Sequence, residues 1–327
     1  MMGTLHESAA GQPQALLLLG PTASGKSALS LQLAKQFDVE IISIDSALVY
    51  QGMDIGSAKP TPEELAAVPH HLIDIREISE PYSAADFAAD AVRLVSEIRA
   101  RGRFPLIVGG TMLYAKALRE GLNDMPTTSA EVRAQVLSDG ERLGWPAMHA
   151  ELARVDPETA ERLAPNDKQR IGRALEVYRL TGRPLSSFHD RKAIKPLIPV
   201  LTVGLMPRDR AKLHARIAER FDAMLRSGFL DEVKRLMARP DFDPESPAMR
   251  AVGYRQAIDF LSGRMDASAF REAGIAATRQ LAKRQMTWLR GMRDALLIDP
   301  FESDAGNQLA LILEKLGAKP LPAKAAF

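Results

Sequence analysis

The chain of 327 residues contains no cysteine. That absence excludes disulfides, cysteine-ligated zinc, iron–sulfur clusters and a thiol nucleophile, and it fits a reducing compartment. There is no large excess of charge of either sign: 43 Lys and Arg stand against 41 Asp and Glu. The total charge therefore names no partner, and only its distribution can. Long apolar runs are missing too. The first, Ala15 to Leu19, falls far short of the roughly 20 residues that a membrane helix needs. The opening MMGTLHESAAGQPQ has neither the basic nor the apolar region of a secretory signal. Internal repeats and long low-complexity segments are absent. These absences lead to the expectation of a cytoplasmic protein with no membrane partner. What is present, 46% hydrophobic and 26% charged residues, suffices to bury a core, and the length suggests about two structural units.

Apolar runs and helical patterns alternate over the first part of the chain. Ala15–Leu19, Ile41–Ile44, Leu72–Ile75 and Pro105–Val108 read as strands, and Gly25–Lys35, Ala84–Arg101 and Met112–Arg119 as helices. The strands are apolar without alternation, as expected when both faces of a parallel sheet are covered. From about residue 123 the texture becomes helical and charged. A further strand pattern, Ile198–Leu205, precedes more helices, and Ala295–Ile298 reads as a last strand. The expectation is an α/β fold: a P-loop NTPase-like parallel sheet flanked by helices, with a mainly helical insertion. Residues 1–14 are expected to be a flexible tail, 15–124 and 196–299 the core, 125–195 the insertion and 300–327 a mobile C-terminal tail.

Gly20-Pro21-Thr22-Ala23-Ser24-Gly25-Lys26-Ser27 satisfies the phosphate-loop pattern, with an apolar strand before it and a helix after it. The glycines let backbone N–H groups turn toward a phosphate, and the helix N-terminus adds partial positive charge. Lys26 supplies a point charge and the Ser27 hydroxyl can ligate Mg²⁺. Such a loop specifies a phosphorylated ligand, not which one. Asp45 stands at the end of the next strand, where ligands of parallel sheets gather. It can hold a metal ion, act as a general base, or simply cap a turn.

GPTASGKS, ISIDSALVYQGMDIGSAKP, PHHLID and VGGTMLY, followed by NDKQRIGRALEVYRLTGRPLS, RIAERFDAML, MRAVGYRQ and RQLAKRQMTWLR, closely resemble segments of the bacterial tRNA dimethylallyltransferases, the tRNA isopentenyltransferase family. The resemblance covers about residues 15 to 295. It implies that Gly20–Ser27 cradles the diphosphate of dimethylallyl diphosphate, with Lys26 on the diphosphate and Ser27 on Mg²⁺. It makes Asp45 the base that takes a proton from the adenine amine, with Thr111 near the reacting groups and Arg220 on the diphosphate. It implies tRNA contacts from Asp45, Ser46, Ala47 and Leu48, from Thr111 and Arg133, from Gln169, Arg170, Ile171, Gly172 and Arg173, and from Arg250, Ala251, Val252, Gly253, Tyr254 and Arg255. The implied partner is the tRNA anticodon stem-loop, modified at the adenosine just 3′ of the anticodon in tRNAs reading codons that begin with U. Many family members carry Met-Gln where this chain has Ala47-Leu48.

The residues themselves leave some readings open. Nine Lys and Arg against four Asp and Glu in Glu161–Lys195, and five against none in Arg279–Arg293, suit a phosphate backbone but also a solvated helix face. Arg220 could pair with Glu219 or Asp222 on a helix surface. Tyr254 could stack on a base or lie in the core with its hydroxyl at the surface. Trp145 and Trp288 read as packing residues. His70 and His71, adjacent on an extended segment, point to opposite faces and make a poor metal site. A small-molecule kinase and an isopentenyltransferase acting on free adenine nucleotides are the alternative enzymes. Neither accounts for the basic helices and the insertion. A non-catalytic RNA-binding protein would not need Lys26, Ser27, Asp45 and Thr111 together. Nothing in the chain demands more than a monomer.

Overall fold

The computed structural model describes residues 12–121, 126, 129–188, 196–302 and 304–321; the expected N-terminal tail lies outside them up to residue 11. The chain divides into two compact units, Met1–Arg119 with Pro196–Phe327, and Glu120–Lys195.

The first unit is built on one sheet. Its strands are Ala15–Leu19 (β1), Val39–Ile44 (β2), His70–His71 (β3), Phe104–Gly109 (β4), Val200–Leu205 (β5) and Leu296–Ile298 (β6). They lie in the order β3-β2-β4-β1-β5-β6, and every neighbouring pair is parallel. Successive side chains of a strand point to opposite faces, and the packing follows that rule. Leu17, Leu19, Ile42, Ile44 and Ile107 enter one core, while Leu16, Leu18, Ile41, Leu106 and Val108 enter another. Both faces being covered, all five residues of β1 are buried, which is why the strand carries no polar residue.

Helices cover both faces. In chain order they are Lys26–Ala34 (α1), Pro62–Ala67 (α2), Ala84–Ala100 (α3) and Met112–Glu120 (α4) in the first part, then Arg210–Arg226 (α9), Phe229–Met237 (α10), Tyr254–Leu261 (α11), Ala267–Gly291 (α12) and Ala305–Lys315 (α13) after the second unit. The second unit holds Ala130–Leu143 (α5), Trp145–Val155 (α6), Pro157–Glu161 (α7) and Lys168–Thr181 (α8). α3 shows how local sequence sets a helix. Ser83 and Asp86 form a reciprocal capping box at its start, and Phe87, Ala91, Leu94, Val95 and Ile98 form the stripe that joins the first core. The same core takes Leu213, Ile217 and Phe221 from α9 and Ala282, Met286 and Leu289 from α12. The opposite face is covered by Leu33 of α1 with Leu309 and Leu313 of α13.

Two expectations are corrected here. Leu72–Ile75 is not a strand: β3 is confined to His70–His71, and Leu72 and Asp74 take left-handed φ of 64° and 55°, which no strand tolerates. Within the expected mobile tail after Pro300, α13 is a packed helix. Leu309 and Leu313 are fully buried, and the chain beyond it is tied back by Asp38 N–H to Lys319 O at 2.9 Å and Leu321 N–H to Gln36 O at 2.7 Å. The apolar spacing Leu309-Ile312-Leu313 was the sequence signal for it. The second part of that expected tail, residues 322–327, lies outside the described residues.

The second unit has its own core of Val136, Met148, Leu152, Ile171, Ala174 and Leu175, with Trp145 packed against it. Trp145 fits because residue 140 is glycine: a Cβ there would lie 2.3 Å from the indole ring. Asp167 caps α8 by accepting from Arg170 N–H at 3.1 Å, and Gly182 ends it at φ 69°. Among the described residues of the chain, no helix is long and apolar enough to cross a membrane.

Candidate active site

The carboxyl ends of β1, β2 and β4, which are neighbours in the sheet, each deliver a loop to one cleft of about 640 Å³ in the first unit. From β1 comes the phosphate loop. Gly25, at φ 92°, begins α1, a conformation that costs glycine little and other residues more. Thr22, Ala23, Lys26 and Ser27 line the cleft. The Lys26 Nζ donates to Gly20 O at 2.9 Å and Pro21 O at 2.8 Å, so the loop's own carbonyls hold the ammonium at its mouth. Ser24 is turned away from solvent, and its hydroxyl has no partner among the described residues.

From β2 comes Asp45, and from β4 Thr111. The two turns are tied together: Ser46 N–H donates to Thr111 Oγ1 at 2.9 Å, and Thr111 N–H donates to Ile44 O at 3.1 Å. Asp45 Oδ1 accepts from Ala47 N–H at 2.9 Å, so it does serve its own turn, as a capping residue would. That bond occupies one carboxylate oxygen, and Asp45 lines the cleft with Ser46, Ala47, Leu48 and Thr111.

The electrostatics are dominated by two cations and this carboxylate. Burial pushes the Lys26 ammonium down to about 7, with Asp45 opposing the shift and Arg220 adding to it. Burial likewise lowers the Arg220 guanidinium, again against Asp45. Arg220 makes no ion pair among the described residues. Among the described residues it pairs with neither Glu219 nor Asp222, and Asp222 binds Arg271 at 2.7 Å instead. Two desolvated cations lining one cleft at the start of a helix are the chemistry of an anion site. Arg216, one turn before Arg220 on α9, stacks over Phe301 at 5.1 Å, and a Cβ at Gly25 would lie 3.6 Å from its guanidinium.

The remaining wall is held by a buried carboxylate that sequence reasoning missed. Glu232 of α10 is 2% exposed. It accepts from the N–H groups of Asp54, Ile55 and Gly56 at 3.0, 2.7 and 3.1 Å and from the Tyr254 hydroxyl at 2.7 Å. Gly56 is required there, since a Cβ would stand 2.2 Å from the Phe229 ring and 2.7 Å from that of Tyr254. Lys59 completes the loop by bridging Asp54 and Asp74 and donating to Tyr50 O at 3.1 Å. The sequence did hold a signal: Glu232 shares the stripe of Phe229, Val233 and Leu236, at helical spacing.

Of the two sequence readings of Tyr254, the core placement holds, and the surface position of its hydroxyl is corrected. It backs the cleft, fully buried, edge-on to Phe229 at 5.1 Å, with its hydroxyl consumed by Glu232. It cannot stack on a base, nor does its hydroxyl reach the surface. Its neighbours differ: Arg250 is exposed and lines the cleft with Ala251, Val252 and Gly253, and Arg255 is exposed outside the lining. Trp288 is corrected as well. It is 42% exposed and lines the cleft with Thr278, Leu281, Arg284 and Gln285 of α12. In the second unit, Gln169 and Arg170 are exposed, whereas Ile171 and Gly172 face its core and offer no side chain to a partner. Arg133 and Arg173 both reach Glu176, at 3.4 and 3.7 Å, and Arg173 also donates to Pro126 O at 2.9 Å.

Comparison with known proteins follows the same lines. The IPP transferase family model matches residues 48–292. A tRNA dimethylallyltransferase of Burkholderia ambifaria (strain MC40-6) is 56% identical over 313 residues, which is 94% of this chain and 96% of that one. The crystal structure of the full-length tRNA isopentenylpyrophosphate transferase of Bacillus halodurans is similar with a TM-score of 0.66 at 36% identity, over 93% of this chain and 98% of that one. A crystallographically characterised eukaryotic dimethylallyltransferase acting on tRNA gives a TM-score of 0.76 at 27% identity, over 96% of this chain and 82% of that one.

The Glu232 brace yields a stability prediction. Glu232→Ala strands three amides and a phenol in the interior, so urea unfolding should lose about 3 kcal/mol or more. Glu232→Gln, which keeps an acceptor oxygen, should lose less. Equal stability of the alanine variant and the parent protein would contradict the assigned role.

Proposed function

The chain belongs to the IPP transferase family, and from that premise we propose that it transfers the dimethylallyl group of dimethylallyl diphosphate to the exocyclic amine of an adenosine in tRNA, the one just 3′ of the anticodon. The observation that carries this reading is the meeting, in one cleft, of the phosphate loop, of Arg220, which has no ion pair among the described residues, and of Asp45, whose turn is tied to Thr111 through Ser46 N–H. A prenyl donor that leaves diphosphate behind and an acceptor that must lose a proton are both provided for.

The steps follow from the chemistry. An adenine amine is a weak nucleophile because its lone pair is delocalised into the ring. As its nitrogen forms a bond to the allylic carbon, the bond from that carbon to the diphosphate oxygen breaks. The Asp45 carboxylate takes the amine proton during attack. The charge gathering on the departing diphosphate is met by the loop amides, Lys26 and Arg220. The Thr111 hydroxyl, through Ser46, holds the Asp45 turn in place. Mg²⁺ fits the donor set: the exposed Ser27 hydroxyl at the start of α1 would hold it beside the diphosphate. When bound, it neutralises charge on the diphosphate. No cluster of three His, Asp or Glu among the described residues offers it a full protein cage.

The acceptor base has to leave its stack to reach Asp45. Arg250 and the exposed Arg284 and Trp288 at the cleft suit phosphate contact and base stacking. The second unit is the proposed grip on the anticodon stem, through Gln169, Arg170 and Arg173. The protein is proposed to work as a cytoplasmic monomer, on tRNAs reading codons that begin with U.

Incubation of the protein with unmodified tRNA, dimethylallyl diphosphate and Mg²⁺, followed by digestion and nucleoside mass spectrometry, should give an adenosine heavier by one five-carbon prenyl unit. Modification of free AMP in place of tRNA, or consumption of ATP with no prenyl transfer, would move the protein to the free-nucleotide or the kinase reading.

The lowered Lys26 value generates a second expectation. At pH 8 the free ammonium is mostly neutral, because its value lies near 7, while the bound diphosphate requires it charged. Donor binding at pH 8 should therefore take up close to one proton, and less at pH 6, where Lys26 is already protonated. Calorimetry in buffers of different ionisation enthalpy measures this. Proton uptake at pH 8 that survives in Lys26→Met would assign it to another group.

A further inference from the structure

The two halves of the cleft come from distant parts of the chain, and one side chain touches both. Gln285 of α12 accepts the Thr22 N–H on its Oε1 at 2.9 Å and donates its Nε2 to Gly110 O at 2.9 Å. Thr22 belongs to the phosphate loop. Gly110 directly precedes Thr111, whose hydroxyl holds the turn of Asp45. The bridge therefore spans from the diphosphate cradle to the base. It is tightly fitted: a Cβ at residue 110 would lie 2.3 Å from the Gln285 nitrogen and 3.2 Å from Gly20 O.

Gln285 is also out of place by its neighbours. It is 7% exposed and lies on the buried stripe of Ala282, Met286 and Leu289. A buried amide is tolerated only when both ends are bonded, and here the two partners also fix its orientation. An N–H at Thr22 needs the oxygen and a carbonyl at Gly110 needs the nitrogen. The residues beside it on α12, Arg284 and Trp288, face the cleft, so the helix that carries the brace is the one that offers RNA-binding side chains.

We propose that Gln285 is a positioning residue that keeps the donor cradle and the acceptor base in register; this rests on the prenyl-transfer reading above. It touches no reacting atom. Its effect is on the fate of the allylic group. As the carbon–oxygen bond to diphosphate breaks, the adenine nitrogen can form the new bond and pass its proton to Asp45. Alternatively a water oxygen forms the bond, its proton goes to solvent, and dimethylallyl alcohol and diphosphate result. Transfer to the amine needs both halves of the cleft aligned, and a displacement near 1 Å costs about 100-fold in rate. Capture by water needs no alignment.

The test uses the full chain with labelled dimethylallyl diphosphate and saturating tRNA, and counts both products. Gln285→Met keeps length and apolar packing while removing both hydrogen bonds. The ratio of alcohol to prenylated tRNA should rise about tenfold or more, with kcat for tRNA falling and KM for tRNA within about twofold of the parent. Should that variant fail to fold, as judged by its melting temperature, Gln285→Glu keeps the acceptor for Thr22 and drops the donor to Gly110. Its ratio should rise in the same direction. Both products falling together at an unchanged ratio, or no change at all, would overturn the proposal and leave Gln285 a packing residue. A parent protein that prenylates no tRNA would instead remove the functional reading, and this inference with it.

Discussion

Two buried basic groups lining one cleft carry a desolvation cost that a bound anion relieves. Lys26 and Arg220 stand in that relation, with Asp45 as the nearby counter-charge. The rest of the first unit can be read as what keeps them there. Parallel strands lie about 4.8 Å apart, so the adjacent ends of β2, β4 and β1 bring Asp45, Thr111 and the phosphate loop to within about 10 Å of one another. The two-sided aliphatic core makes those strand ends rigid, and α9 brings Arg220 to the same place from the far side of the chain.

Around this centre, polar residues on apolar helix stripes do the joining. Glu232 gathers three backbone amides and a phenol, and Gln285 links two loops. A charge or amide buried at such positions is costly unless every bonding group is met. Each therefore selects one arrangement of the loops it binds. They hold loops that strand geometry alone would leave free.

Much of the core was legible from residue patterns. The unalternated runs at β1, β2 and β4 and the phosphate-loop spacing each follow from local sequence, and together they give the parallel sheet and its ligand end. What was not legible depended on tertiary context. Leu72–Ile75 has strand-like residues, but left-handed φ values at Leu72 and Asp74 break it. Tyr254 sits in a segment rich in arginine, yet Glu232, far enough away in sequence to go unnoticed, takes its hydroxyl into the core. Trp288 looked like packing because tryptophan usually is, and its exposure at the cleft comes from the phase of a long helix. The braces Glu232 and Gln285 were the legible signals that went unread: a polar residue in register with an apolar stripe.

The central claim is that Asp45 acts on the acceptor amine, opposite a cradle that acts on the donor. It is tested most directly by a single-turnover measurement with Asp45→Asn, using protein saturated with both tRNA and dimethylallyl diphosphate. Asparagine keeps the side-chain oxygen that accepts from Ala47 N–H but cannot take a proton. The account predicts that both ligands still bind with near-parental affinity while the rate of prenyl transfer falls about 100-fold or more. A transfer rate equal to the parent's would contradict it and leave Asp45 as no more than the residue that shapes its own turn.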